Sequence, residues 1–194
     1  MIFCDTQRLT LRALEREELP RLVALLGVWD VVRWLSVVPF PYTLRDAQDF
    51  YDDIAPHNAT QPQFYALSLK ADGLLIGGAG LHPPRTADAR PGEIEIGYWL
   101  AQDYWGRGLM SEACAAVIEN AFARPGTSAV VATTDPGNRA SQNVLRKAGL
   151  DNLGLGPRTY ATLRGGDQII GWRLDRATYE ANKNMTTKNM AGAA

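Results

Sequence analysis

Cysteine and histidine are scarce in this chain of 194 residues. The two cysteines, Cys4 and Cys114, lie far apart and form no CxxC pair, so neither a disulfide framework nor a thiolate zinc site is expected. The two histidines, His57 and His82, have no His, Cys or acidic partner at ligand spacing, and no GxSxG elbow surrounds any serine. No metal is therefore expected, nor a Ser-His-Asp triad. An excess of either charge is also missing: 20 Lys plus Arg face 21 Asp plus Glu, for a net charge of −1. Nucleic acid and anionic membranes are usually held by surplus cations, so neither is expected as a partner. No apolar run reaches the 18 or so residues of a membrane span, and Met1 to Leu9 lacks the basic-then-apolar order of a secretion signal. These absences predict a cytoplasmic protein without a membrane partner.

What remains is globular. At 46% hydrophobic and 21% charged, a chain of this length should bury roughly 70% of its unfolded surface. With no repeat, low-complexity block or linker, residues 1–180 read as one domain. From residue 181 to 194 periodicity fades, which predicts a mobile tail. Period-two alternation over Arg8–Arg12 predicts a strand with Leu9 and Leu11 inward. Helical spacing follows over Glu15–Leu26 and, after Thr43 as the expected cap, over Leu44–Ile54; between them lies an aromatic, proline-containing loop, Val37–Tyr42. Strands are predicted over Phe64–Leu69, Leu74–Leu81, Ile94–Leu100, Val130–Thr134, Thr159–Leu163 and Ile169–Leu174, with helices over Ser111–Phe122 and Ser141–Ala148. The fold class is α/β of the mixed, α+β kind: a mostly antiparallel sheet of about seven strands flanked by about four helices.

The informative stretch is Glu93–Ala113, where a strand passes through a turn carrying Gly106 and Gly108 straight into a helix. Glycines let main-chain N–H groups approach an anion, and the free N–H groups and dipole of the following helix favour negative charge. Arg107 adds a cation. An isolated Gly-x-Gly more often serves only a tight turn. A Walker loop is excluded because Gly-Lys-Ser/Thr is absent, and the GxGxxG of dinucleotide folds is excluded because its third glycine position is Ser111.

Five motifs in order resemble the GNAT superfamily of N-acetyltransferases, in the branch of the ribosomal-protein N-terminal acetyltransferases. They are Thr6–Arg12, Pro39–Thr43, Ile76–Leu81, Glu95–Leu100 with Tyr104–Gly108, and Asn138–Leu150. The resemblance implies the GNAT-like fold and acetyl-CoA as co-substrate. It implies that Tyr98, Trp99 and Leu100 offer main-chain groups to the pantetheine arm, that Gly106, Arg107, Gly108, Leu109, Met110 and Ser111 hold the pyrophosphate, and that Asn138 touches the arm. Two departures stand out. Asp103 occupies a slot where many relatives carry Arg or Gln, so it should point away. Leu145 stands where many relatives carry the tyrosine that protonates the leaving thiolate, so Ser141, one turn earlier, is the expected replacement, with Tyr160 a second candidate.

An amine attacking a thioester must arrive neutral. Reference pKa values of about 7.7 to 8.0 for an α-amino group and about 10.4 for lysine require a proton acceptor. Glu95 matches the family acid and Glu93 shares its strand face. Trp29, Trp34, Phe40 and Tyr42 are candidates to line an acceptor pocket. The reading is an N-acetyltransferase acting on a protein or peptide N-terminus or a small amine, monomeric or homodimeric. The alternatives are a non-catalytic acyl-CoA-binding regulatory module and a nucleotide-binding protein using the glycine turn.

Overall fold

The computed structural model describes residues 1–58 and 61–191, with side chains through residue 185. One sheet runs through it, built from β1 (Ile2–Asp5), β2 (Leu9–Arg12), β3 (Phe64–Leu69), β4 (Leu75–His82), β5 (Glu93–Leu100), β6 (Ala129–Thr134), β7 (Asp151–Pro157) and β8 (Gln168–Asp175). Its eight strands take the order β1-β2-β3-β4-β5-β6-β8-β7. Every neighbouring pair is antiparallel except β5 and β6. Among the described residues six α-helices surround it: α1 (Leu19–Leu26), α2 (Trp29–Val32), α3 (Leu44–Asn58), α4 (Leu109–Ala123), α5 (Arg139–Lys147) and α6 (Arg176–Ala191).

The strands alternate between two apolar layers, because successive side chains leave opposite faces. In β3, Tyr65 and Leu67 join the core under α4 and α5, whereas Phe64 and Ala66 join the core under α1 and α3. The glycines of β4 permit close packing. A Cβ at Gly78 would lie 2.4 Å from the Phe64 ring and 2.9 Å from the Trp99 indole nitrogen.

The mixed, mostly antiparallel sheet is the one expected; it has eight strands where about seven were expected and six α-helices where about four were, and the differences have local causes. β1 is short, and one turn of α2 carries no periodicity. The strand expected over Thr159–Leu163 lies instead at β7, whose Leu153, Gly154, Leu155 and Gly156 have little β-propensity. β7 is fixed by its ladder to β8, which shifts register between Asn152 and Gly154. Thr159–Leu163 is a loop because its polar atoms bond elsewhere: Thr162 Oγ1 donates to the Ser36 carbonyl at 2.9 Å and the Leu163 N–H to the same oxygen at 2.7 Å. A helix also continues through the first part of the expected tail. α6 runs to Ala191 with ion pairs Arg176–Glu180 at 3.4 Å and Lys183–Glu119 at 2.6 Å, while residues 192–194 lie outside the described part.

Candidate active site

β5 and β6 pair only from Glu93/Ala129 to Glu95/Val131. Beyond that point β5 stays bonded to β4 through Leu100, and β6 to β8 through Thr134. The two parallel strands therefore part company in the middle of the sheet. A cleft of about 940 Å³ opens there, lined by β5, β6, the glycine turn, α5 and the segment after α2.

At one end lies the start of α4. Gly106 and Gly108 have φ of +73° and +76°, a region closed to most side chains, which explains both glycines. The first backbone bond runs from the Glu112 N–H to the Gly108 carbonyl at 3.1 Å, and no side chain caps the helix. The N–H groups of Leu109, Met110 and Ser111 consequently have no partner within the helix. Arg8, unremarked in the sequence beyond its motif, braces this turn. Its Nη1 donates to the Arg107 carbonyl at 2.9 Å, and its Nε to Glu112 Oε2 at 2.7 Å. Burial pushes the Glu112 carboxyl up, but bonds from Thr6 and Arg8 outweigh it and hold it below the usual range. Arg107 and Asp103 are exposed and do not line the cleft; the Arg107 guanidinium sits 5.4 Å from the Tyr104 ring centroid.

Glu95 lies where the strands separate and is only 5% exposed. Its Oε2 accepts the Arg85 N–H at 3.0 Å, with His82 Nδ1 at 3.9 Å. Its Oε1 accepts the Thr133 hydroxyl at 3.2 Å. Thr133 Oγ1 is 3.0 Å from the Tyr160 hydroxyl, which accepts from Arg158 Nη1 at 3.1 Å. Tyr160 is thus brought to Glu95, whereas Glu93 is not: its carboxylate accepts from Arg173 and from the Arg90 N–H, outside the cleft. Thr133 and Arg158 were not singled out in the sequence. Thr133 is two residues from Val131, which pairs with Glu95, but a lone strand threonine carries no signal until that register is known.

On the opposite side of the cleft, the Tyr98 hydroxyl has two acceptors in reach of its one proton, Ser141 Oγ at 2.9 Å and the Ser141 carbonyl at 3.2 Å. Burial first, and then the neighbouring Cys114, hold the Tyr98 phenol well above its usual value, so it stays protonated. The slot at Leu145 is fully buried core. Asn138 Oδ1 caps α5 by accepting the Ser141 N–H at 3.1 Å, leaving its amide N–H groups for the cleft. Trp99 and Leu100 also line it. Of the four aromatic candidates, Trp34 and Tyr42 line the cleft. Trp29 and Phe40 pack edge-to-face with centroids 5.1 Å apart, outside its lining.

An acetyltransferase (GNAT) domain model matches residues 8–151. The uncharacterized N-acetyltransferase p20 of Bacillus licheniformis is 28% identical over 162 residues, 82% of this chain and 88% of the relative. Among solved structures, the ribosomal L7/L12 α-N-protein acetyltransferase RimL with coenzyme A superposes with a TM-score of 0.72 at 18% identity, covering 92% of this chain and 99% of that one. The aminoglycoside acetyltransferase AAC(6')-Ib with ribostamycin and coenzyme A gives a TM-score of 0.70 at 21% identity, covering 91% and 97%. The parted strands, the glycine turn opening a helix and the family match together establish that the chain belongs to the GNAT acetyltransferases, enzymes that use acetyl-CoA as donor.

Proposed function

We propose that the protein transfers the acetyl group of acetyl-CoA to a primary amine, on a protein or peptide N-terminus or a small molecule, by direct attack on the thioester. One observation carries this reading: a buried carboxylate, Glu95, with both oxygens held by fixed donors at the point where the central strands part. Structural relatives named as an α-N-protein acetyltransferase and an aminoglycoside acetyltransferase bracket the acceptor classes.

The cleft fits the cofactor. The N–H groups of Leu109, Met110 and Ser111, which have no partner among the described residues, with the open backbone at Gly106 and Gly108, would receive the pyrophosphate. The main chain of Tyr98–Leu100 and the Asn138 amide would hold the pantetheine arm. Bound acetyl-CoA supplies the thioester carbonyl. Glu95 takes the proton of the incoming amine, directly or through water. With the Tyr98 proton given to Ser141 Oγ, the Ser141 proton is free for the departing sulfur, and positioning of the two reactants supplies much of the acceleration. Trp34 and Tyr42 form part of the acceptor wall.

The test is CoA release from acetyl-CoA with a panel of N-terminal peptides and small amines, with products weighed by mass spectrometry. A saturable release accompanied by an acceptor 42 Da heavier is the expected outcome, the gain being one acetyl for one hydrogen. Tight acetyl-CoA binding without turnover across the panel would refute the catalytic reading and leave a binding module.

A further inference from the structure

The bonds around Tyr160 have a polarity that can be worked out from both ends. An ionised carboxylate only accepts, so the Thr133 proton points to Glu95 Oε1 across 3.2 Å. With that proton committed, Thr133 Oγ1 can only accept across the 3.0 Å to the Tyr160 hydroxyl, so the Tyr160 proton points to Thr133. Arginine only donates, and Arg158 Nη1 donates to the Tyr160 oxygen at 3.1 Å. The chain therefore runs one way, Arg158 to Tyr160 to Thr133 to Glu95. The second carboxylate oxygen is held by the Arg85 N–H at 3.0 Å, which also cannot reverse. The free lone pairs of Glu95 are left for the cleft.

The far end of the chain is anchored in the acceptor wall. Arg158 Nη1 also reaches Ser36 Oγ at 3.3 Å, and its Nε donates to the Gly166 carbonyl at 2.8 Å. Six residues on, Arg164 Nη1 donates to the carbonyls of Val32, Leu35 and Val38 at 3.1, 2.9 and 2.5 Å. The loop that carries Tyr160 is stapled to the segment holding Trp34.

We propose that Arg158, Tyr160 and Thr133 are positioning residues that act as one directed hydrogen-bond chain fixing the orientation of Glu95, and that Tyr160 is not the donor to the thiolate. The inference rests on Glu95 being the base. Tyr160 has one proton, and the chain uses it. Charge-assisted bonds to a carboxylate in a dry site are worth more than neutral ones, so each link matters most where the next is intact.

The experiment measures kcat and KM for both substrates in Thr133→Val, Thr133→Ser, Tyr160→Phe and the double variant Thr133→Val/Tyr160→Phe, with Glu95→Gln alongside. Thr133→Val, nearly isosteric, is expected to lower kcat at least tenfold with the KM for acetyl-CoA within twofold. Thr133→Ser, which keeps the hydroxyl, should recover kcat to within threefold of the native enzyme. The double variant should be no slower than Thr133→Val alone, because cutting one chain twice adds nothing. Multiplying effects, or a normal kcat in Thr133→Val while Glu95→Gln is slow, would overturn the chain and leave the base assignment standing. A normal kcat in Glu95→Gln would instead overturn the base and the chain with it. Should Thr133→Val fail to fold, Arg158→Met against Arg158→Lys provides the same comparison from the other end: the lysine is expected to restore kcat, and equal loss in both would refute the proposal.

Discussion

Replacing Glu95 by glutamine removes the proton acceptor while keeping shape, and the structure sets what else it costs. The Arg85 N–H needs an acceptor, so the amide oxygen must take the place of Oε2 and the amide nitrogen that of Oε1. Thr133 would then face two donors, the new amide and Tyr160, and its own proton would lose its partner. One lost bond in a buried network costs about 1 kcal/mol, or about 2–4 °C in Tm for a protein of this size. A general base contributes typically about 10² to 10⁴ in rate, equivalent to about 2.7–5.5 kcal/mol of barrier. The catalytic loss should therefore exceed the structural one severalfold, and thermal melting beside single-turnover rates separates the two. The pH dependence separates base from scaffold. As pH rises through the acceptor's own pKa, about 7.7 to 8.0 for an α-amino group, the amine arrives already neutral and the deficit of Glu95→Gln should shrink. An acceptor amine of lower pKa should narrow it at fixed pH. A deficit constant with pH would mean that Glu95 only positions the substrate, and nearly full kcat at pH 7 would refute its role outright.

Three further outcomes follow from the same geometry. Gly108→Ala places a side chain at φ +76° with only the Arg8 guanidinium nearby, at 3.6 Å, so it should cost about 1–2 kcal/mol in stability; by crowding the N–H cradle it should also raise the acetyl-CoA Kd at least tenfold by calorimetry. Ser141→Ala and Tyr98→Phe should each lower kcat with acetyl-CoA affinity nearly unchanged, Ser141→Ala more, since their shared bond matters only as charge develops on sulfur; weakened acetyl-CoA binding with normal kcat would refute this. The carboxyls of Glu112 and Glu18, each raised by burial but pulled lower still by bonds from Thr6 and Arg8 and from Arg12 respectively, titrate below their unfolded values. Their stabilisation is thus complete above about pH 4.3 and lost as pH falls through the folded values. Tm measured from pH 6 down to pH 3 should fall on that limb, and Glu112→Gln should flatten it; an unchanged limb would contradict the assignment.

The glycine turn was legible because it is written in consecutive residues: two glycines, at left-handed φ in the structure, followed at once by an apolar, Ala-rich helix. Glu95 was singled out through the resemblance over Glu95–Tyr98, not from its own neighbours, which read only as an alternating strand. Thr133, Arg158 and Arg8 were not, since each acts across long sequence separations that only the sheet order closes. Arg8 meets Glu112, and Arg158 meets Ser36. β7 was missed because edge pairing, not propensity, makes it a strand. The separation of Tyr160 from any strand was unreadable too, for Thr162 and Arg164 spend their bonds on carbonyls of a distant segment.

The distance between the two ends of the cleft narrows the choice of cofactor independently of any resemblance. From Glu95, where pairing with β6 stops, to Leu100 at the end of β5 is five steps along an extended strand, or about 17 Å. The glycine turn lies beyond that end. A nucleotide whose phosphates react where the turn would hold them would leave Glu95 out of reach of the chemistry. A ligand with an anionic group at one end, a slender arm along β5 and its reactive atom at the other would use together the buried carboxylate, the Tyr98–Ser141 pair and the N–H groups that open α4. An acyl thioester on a pantetheine arm has that shape, and past Glu95 the edge of β5 that faces β6 no longer ladders with it, although the Leu100 carbonyl is taken by the Trp105 indole N–H at 2.7 Å.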